Sequence, residues 1–355
     1  MLALELSRPV LIKDEDYDTD YPKPAYDEQI AGGEVCSTAH LTSLLAMVNV
    51  VRSFQSLSQL LKAPYITQET LQSREECFHT CLSLLPKIFQ PSASEGLDPC
   101  AIAPLICLQN ARLVLQRHNL TPECPPTLRI QAIDKCLIVA RDTAKALSRC
   151  LDPTLFPQHT LSERSHLVAM SASTFTCMHI CRCLLFVLLR ADYLPAVVLV
   201  QAASIIGGAR QVNLCCGQHV EFFLRLLHSR RQSGLPDEFD NDEEMIAYVS
   251  GDLRSHADTS WVWHGRETGV KEGKFAAGAQ GLPSFDQARS GPIHDIKSLV
   301  LTDQECRDWK GWEQVERSVQ FLLEQQENHQ RDIQRPIQQH ASVSDNSKMM
   351  IANII

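Results

Sequence analysis

The sequence predicts an all-α fold, and three observations lead to this prediction. Apolar residues recur at helical spacing through most of residues 34–232. Prolines and glycines cluster mainly between these periodic runs, where they end one helix and introduce the next. No stretch alternates apolar and polar residues with comparable strength, as a half-buried strand would. We therefore expect a multi-helical core followed by a more mobile C-terminal segment.

The bulk composition is typical of a soluble globular protein. The chain of 355 residues is 44% hydrophobic and 21% charged, enough for one large core or two smaller ones. Its net charge of −9 argues against a broad phosphate-binding surface, because nucleic-acid-binding modules usually present a basic face. The most apolar stretch, residues 174–208, is interrupted by Arg182, Arg190 and Asp192. It falls short of the ~20 apolar residues of a membrane span, so we expect no membrane partner.

The N-terminal part of the chain divides into a loop and the start of the core. Residues 1–33 predict an acidic loop, because prolines interrupt a stretch rich in aspartate. Residues 34–232 predict an all-helical domain. Its first helix follows the apolar spacing between Leu41 and Leu61, and Pro64 ends it.

Capping and breaking residues locate the other helices of the core. Thr67, followed closely by Glu69, predicts the start of one helix, which Pro86 should kink or end. The Pro125-Pro126 pair predicts the start of another. The run from residue 163 to 192 is apolar nearly all round, which indicates a buried central helix. The predicted helices cover about residues 68–89, 99–119, 126–151, 163–192, 194–206 and 214–231.

Beyond the core the sequence changes character. Residues 233–300 predict a flexible segment that is first acidic and then rich in glycine, alanine and serine. Within it, residues 236–246 alternate acidic and apolar residues, which fits either a disordered activation segment or the acidic start of a helix. An amphipathic helix is expected over residues 301–328, with Trp312 on its apolar face, and a disordered tail over residues 329–355.

The fourteen cysteines do not indicate a zinc site, because no two of them stand as C-x-x-C. Cys177, His179, Cys181 and Cys183 form the densest set. On a helix, residues four apart share a face, whereas residues two apart point in roughly opposite directions. Cys177 and Cys181 can therefore meet, but His179 and Cys183 do not easily join them. We interpret these thiols as core residues and expect no cofactor in this chain.

The densest acidic cluster contains Asp14, Asp16 and Asp18. A calcium loop would need glycine at its sixth position and glutamate at its twelfth, where this chain has threonine and alanine. The aspartate-rich magnesium motif of isoprenoid synthases would require a second acidic motif facing it, so a helical metal-dependent enzyme is the weaker hypothesis. We favour a solvated loop that places one carboxylate against Arg8. The sequence also contains no G-x-S-x-G, H-E-x-x-H or glycine-rich phosphate loop, and we expect no enzymatic activity.

Two stretches resemble the regulatory domain of fungal zinc-cluster transcription factors. In residues 3–22, a Ser-Arg-Pro and an apolar pair are followed by an acidic stretch and a proline, as at the end of a helix in that family. Residues 110–120, the prolines after them and a helix ending near Leu147 are also similar, and the likeness spans residues 2–231. Residues 308–316 and the last apolar residues resemble members that regulate cutinase genes in response to fatty acids.

The resemblance implies the regulatory region of a nuclear RNA polymerase II transcription factor, controlled by an effector or by partners. Homodimers, heterodimers and coregulators are the partners it implies. It places Arg8, Pro9, Asp14, Asp16 and Asp18 in a regulatory loop. Family members bind DNA through a six-cysteine cluster with two zinc ions, which this sequence lacks.

Zinc and DNA contacts are therefore expected only in a part missing from this chain. Compared with the family, the regulatory domain in this chain is expected to be truncated at its N-terminus. Such truncation would leave apolar faces uncovered and favour self-association. A stand-alone helical protein-interaction module is the alternative.

Overall fold

The computed structural model describes residues 38–54, 57–155, 160–232, 239, 242–251 and 311–334. These residues are 82% helical and contain no strand, which confirms the all-α fold. The helices are α1 (Thr38–Ser53), α2 (Gln68–Leu84), α3 (Ala103–Arg117), α4 (Pro126–Leu151), α5 (Leu161–Ser171), α6 (Thr174–Leu189), α7 (Tyr193–Ile206), α8 (Gln211–Gln232), α9 (Glu243–Ser250) and α10 (Trp312–Gln334). One further helical turn lies at Leu57–Leu60, and short 3-10 turns lie at Lys87–Phe89, Pro99–Ala101, His118–Leu120, Pro153–Leu155 and Gly207–Ala209.

Helix α6 lies at the centre of the bundle. It packs against α3, α4, α7, α8 and α9, and every residue from Cys183 to Leu189 is buried. A helix that is apolar on all faces must be covered on all faces, so its sequence determines this central position.

The single helix predicted over residues 163–192 is wrong, because the chain forms α5 and α6 with a bend of 101° between them. Ser173 starts α6: its side chain accepts a hydrogen bond from the backbone N–H of Thr176, whose hydroxyl accepts one from the N–H of Ser173. This reciprocal cap stands inside an apolar run, which is why periodicity alone did not reveal the break. No single helix in the described ranges is long and apolar enough to cross a membrane; α5 and α6 reach that length and composition only together, across the bend.

Helix α2 begins where the sequence predicts and ends earlier. The Thr67 hydroxyl accepts a hydrogen bond from the backbone N–H of Thr70 at 3.4 Å, which confirms the predicted cap. The helix stops at Leu84 and not near residue 89, because Pro86 cannot continue it.

Two helices occupy parts predicted to be flexible or disordered. Helix α9 lies within residues 233–300, and α10 continues beyond the predicted end at residue 328 to Gln334. Trp312, Val315 and Val319 of α10 are buried, and this helix packs on α7. The amide of Gln326 donates to the backbone oxygen of Ala191 at 3.1 Å, which fixes the far end of α10 against the start of α7. Apart from residues 239, 242 and 251, the rest of residues 233–300 lies outside the described ranges, as does the tail beyond residue 334.

Candidate functional site

The regulatory-loop residues predicted from sequence, Arg8, Pro9, Asp14, Asp16 and Asp18, lie outside the described residues. The described residues include another acidic segment, helix α9, together with the groove that surrounds it.

Helix α9 is short, acidic and buried on every side. Each residue from Glu244 to Val249 is at most 3% exposed. Asp242 caps the helix by accepting a hydrogen bond from the N–H of Met245 at 3.1 Å. A surface helix buries one stripe, so burial around the whole circumference means that α9 occupies a groove.

Two arginines pair with the acidic start of α9. Arg129, in the first turn of α4, makes two hydrogen bonds to the carboxylate of Glu243, at 3.0 and 2.5 Å. Arg230, near the end of α8, pairs with Glu244 and lies 3.5 Å from Asp242. The side chain of Glu244 is only 2% exposed, so Arg230 supplies the charge that a buried carboxylate requires.

A third arginine meets the other end of α9. The Nε of Arg117, the last residue of α3, donates to the backbone oxygen of Val249 at 3.2 Å. The last carbonyls of a helix have no partner within the helix and carry partial negative charge. Gly251 then ends the helix in the left-handed region, and a Cβ at that position would lie 2.5 Å from the Arg117 guanidinium. Any other residue here would be strained by the positive φ and would make the arginine shift.

Tyr248 anchors α9 in an aromatic cluster on α8. Its ring stacks on His219, Phe223 and Phe222, with centroid distances of 4.4, 5.3 and 5.6 Å. Its hydroxyl donates to the backbone oxygen of His219 at 2.9 Å and lies 2.7 Å from Nδ1 of the same residue. Burial, with a smaller contribution from Arg117, lowers the pKa of His219 to about 4. The imidazole is therefore neutral at pH 7.

We call the groove formed by Arg117, Arg129, His219, Phe222, Phe223 and Arg230 the α9 groove. The sequence patterns did not indicate these residues. The local signal for α9 was the alternation of acidic and apolar residues in residues 236–246. We interpreted this pattern as either a disordered activation segment or the acidic start of a helix. Nothing in the sequence joins Arg129 or Arg117 to a segment more than a hundred positions away.

A second concave site is the α2–α4 cleft, with a volume of about 420 Å³. Helix α3 contributes one residue, Gln116, and all the others come from the two helices that name the cleft. Its lining consists of Gln68, Leu71, Gln72, Glu75, Glu76, His79, Gln116, Leu128, Gln131, Ala132 and Lys135.

A buried ion-pair network backs this cleft. Arg112 is 7% exposed, and its Nε donates to Oε1 of Glu75 at 2.9 Å. The same guanidinium donates to Gln109 at 3.0 Å and reaches Asp142 at 3.4 Å. These contacts use one oxygen of Glu75 and leave the other, Oε2, buried and without a hydrogen-bond partner.

The cysteine–histidine set on α6 is divided between two faces of that helix. Nε2 of His179 lies 2.9 Å from the Thr143 hydroxyl on α4 and 3.5 Å from the Cys183 thiol. The thiol of Cys181 instead donates to the backbone oxygen of Cys216 on α8, at 3.7 Å. Burial raises the pKa of Cys183 to about 12, so this thiol stays protonated at neutral pH. Within the described residues, no group of three or more His, Cys, Asp or Glu side chains is arranged to hold a metal ion.

The fold and the α9 groove define a helical bundle that buries an acidic helix of its own chain. No family model, curated protein or solved structure matches the sequence or the fold.

Proposed function

We propose that this chain is the regulatory, protein-interaction region of a transcription factor, and that α9 is an interaction segment which the bundle covers. The observation that carries this proposal is the burial of residues 244–249 of an acidic, aromatic-containing helix between arginines of three other helices. Segments that mix acidic with apolar residues are typical of transcriptional activation regions. The resemblance of residues 2–231 to fungal zinc-cluster regulatory domains supports the same function.

Docking and release of α9 provide a two-state mechanism. While α9 is docked, Glu244 and Tyr248 are covered and no partner can contact them. A coregulator that binds the free helix, or an effector that favours the open groove, shifts the population toward the released state. We expect this exchange to take place in the nucleus, with DNA contacts made by another domain. The proposal assigns no catalytic step and no cofactor to this chain.

A tethered reporter tests the proposal. The full chain is fused to a heterologous DNA-binding domain, and the wild type is compared with Arg129→Glu, Glu243→Arg and the double variant. Each single change places like charges opposite each other and should release α9 and raise transcription several-fold. The double variant restores an opposite-charge pair and should return activity toward the wild type.

Arg141→Glu is the matched control. Arg141 lies on the same helix and pairs with Asp192 at 2.5 Å, away from α9. It should leave the reporter unchanged. Equal reporter activity in all five chains would overturn the proposal.

A stand-alone interaction module is the alternative function, since the α9 groove needs no DNA-binding partner to recognise an acidic helix. This alternative is favoured if Arg129→Glu makes α9 accessible to protease while every fusion leaves the reporter silent.

A further inference from the structure

Two arginines lose their counter-charges when α9 leaves its groove. Within the described residues, every carboxylate that pairs with Arg129 or Arg230 belongs to α9 or to Asp242, its cap. The two arginine side chains are only 11% and 27% exposed, so water compensates their charges poorly. Removing one partner of such a pair leaves a charge that is partly buried and uncompensated. An emptied groove therefore keeps a preference for an acidic helix.

The apolar part of the groove also fits this helix. Tyr248 stacks on His219 and Phe223, and Met245 and Val249 belong to the same apolar core. An isolated helix shorter than ~12–15 residues is marginal in water, and α9 has eight residues. A released α9 therefore keeps its helical form only by docking, and the groove of a second copy offers it the same contacts.

The connections on either side of α9 are long enough for it to reach a neighbouring molecule. Residues 233–242 join α8 to α9, and residues 251–311 join α9 to α10. An extended chain spans about 3.3 Å per residue, so the shorter connection reaches about 33 Å, roughly the diameter of a small domain. Helix α10 can stay packed on α7 of its own bundle. Helix α9 can therefore enter a second bundle without displacing α8 or α10.

The short tether to α8 favours the chain's own helix in dilute solution. Such a tether gives the attached helix an effective concentration in the millimolar range. A second copy therefore competes only when docking has been weakened in both chains. Exchange of an identical element between two copies is then a low-cost route to a dimer, because each groove regains the contacts that it lost.

We propose that two chains whose α9 has been released exchange this helix and form a dimer. The α9 of each copy fills the α9 groove of the other, so Arg129 and Arg230 of one copy pair with Glu243 and Glu244 of the second. The inference rests on the proposed release of α9 and adds what the released helix binds, namely a second copy of this chain.

Two charge-reversal variants of the full chain test the exchange. Arg129→Glu keeps the wild-type α9 but repels it from its own groove, whereas Glu243→Arg keeps the wild-type groove but carries a repelled α9. Reciprocal exchange between these two chains restores an opposite-charge pair in both grooves. We expect each variant alone to sediment as a monomer of 39.8 kDa. Their equimolar mixture should sediment at twice that mass at about 100 μM, well below the effective concentration of a tethered helix.

Three controls tie the dimer to α9. The double variant, Arg129→Glu with Glu243→Arg, restores the pair within one chain and should stay monomeric. Arg141→Glu in place of Arg129→Glu should give no mixed dimer, since Arg141 lies on α4 away from α9 and pairs with Asp192. Adding Tyr248→Ala to the Arg129→Glu chain should weaken the mixed dimer about tenfold or more, because the donated helix then lacks its stacked ring.

A mixture that stays monomeric would overturn the exchange. Dimers of equal strength in either variant alone, or a mixed dimer that Tyr248→Ala leaves unchanged, would also overturn it, because they would form through another surface. The reporter experiment fails separately. Raised transcription in variants whose mixture stays monomeric would support the proposed function and overturn the exchange, whereas mixed dimers with a silent reporter would support the exchange without the transcriptional role.

Discussion

Helices α6 and α9 are both buried, but for different physical reasons. The buried surface of α6 is mainly aliphatic and aromatic, and short connections join it to α5 and α7. Helix α9 is enclosed to the same degree and adds residues 245–249 to the apolar core, but arginine pairs also hold its acidic start and one of its last carbonyls. The burial of α6 is therefore inseparable from folding, whereas the proposed function requires that α9 can undock while the bundle stays folded.

The largest expected effect distinguishes the core from the surface. Phe186 of α6 is fully buried, so Phe186→Ala should lower the free energy of unfolding of the whole bundle by about 3–5 kcal/mol. Urea denaturation followed by circular dichroism measures this loss. Phe321→Ala on α10 is the control, since that ring is 56% exposed and its removal should change stability by less than about 0.5 kcal/mol. Similar losses in the two variants would contradict the assignment of α6 as the core.

Tyr248→Ala should act on α9 and spare the bundle. It removes the contacts with three aromatic rings and a buried hydrogen bond, worth about 3 kcal/mol together. Limited trypsin digestion should then cut faster after Arg230, which the docked helix engages. Urea unfolding of the remaining bundle should shift much less than in Phe186→Ala. Tyr248→Phe keeps the ring stacking and should give an intermediate cleavage rate; a rate equal to that of Tyr248→Ala would show that stacking contributes little.

Acidification should release α9 through His219. Its pKa is near 4 in the folded chain and near 6.5 when unfolded, so the unfolded or undocked state binds the extra proton between these values. The stabilisation that comes from the neutral imidazole is fully present above pH 6.5 and is lost as the pH falls toward 4. The loss is about 2 kcal/mol at pH 5. Melting temperatures at pH 7 and pH 5 measure the loss. His219→Gln should show a smaller difference between the two pH values, and an unchanged difference would exclude His219 as the titrating group.

The smallest effect concerns thiol chemistry. Cys77 is exposed, whereas Cys183 is fully buried with a pKa raised to about 12. Iodoacetamide at neutral pH should therefore label Cys77 in the native chain and Cys183 only in urea, as read by peptide mass spectrometry. The same pattern is expected in Tyr248→Ala. Labelling of native Cys183 in that variant would mean that release of α9 opens the core, contrary to the contrast between the two helices.

Sequence patterns located helices well where the breaking residue was a proline or a terminal cap. Thr67 marks the start of α2 and Pro86 marks its end, because a capping side chain and the missing N–H of proline both act on neighbouring residues. Ser173 was missed because its capping bond lies inside a run with uninterrupted apolar character. Both capping residues stand in the sequence, but at Ser173 the continuous apolar periodicity led us to predict one unbroken helix.

The sites depend on distant partners, and local patterns do not encode such pairs. Glu243 and Arg129 meet because α9 returns to the first turn of α4, which no spacing in the sequence indicates. Gln116 was placed correctly in a predicted helix over residues 99–119. Gln116 lines a cleft because residues of α2 and α4 lie around it, and this arrangement is set by tertiary packing.

Hydrogen exchange measured by mass spectrometry on the full chain tests the central claim most directly. If α9 docks reversibly, amides in residues 243–250 will exchange with an opening free energy at least about 2 kcal/mol below that of α6. Arg129→Glu will then speed exchange in α9 and leave α6 unchanged. Exchange of α6 and α9 at one common rate, with both accelerated by Arg129→Glu, would show that α9 is an integral part of the core and contradict the account.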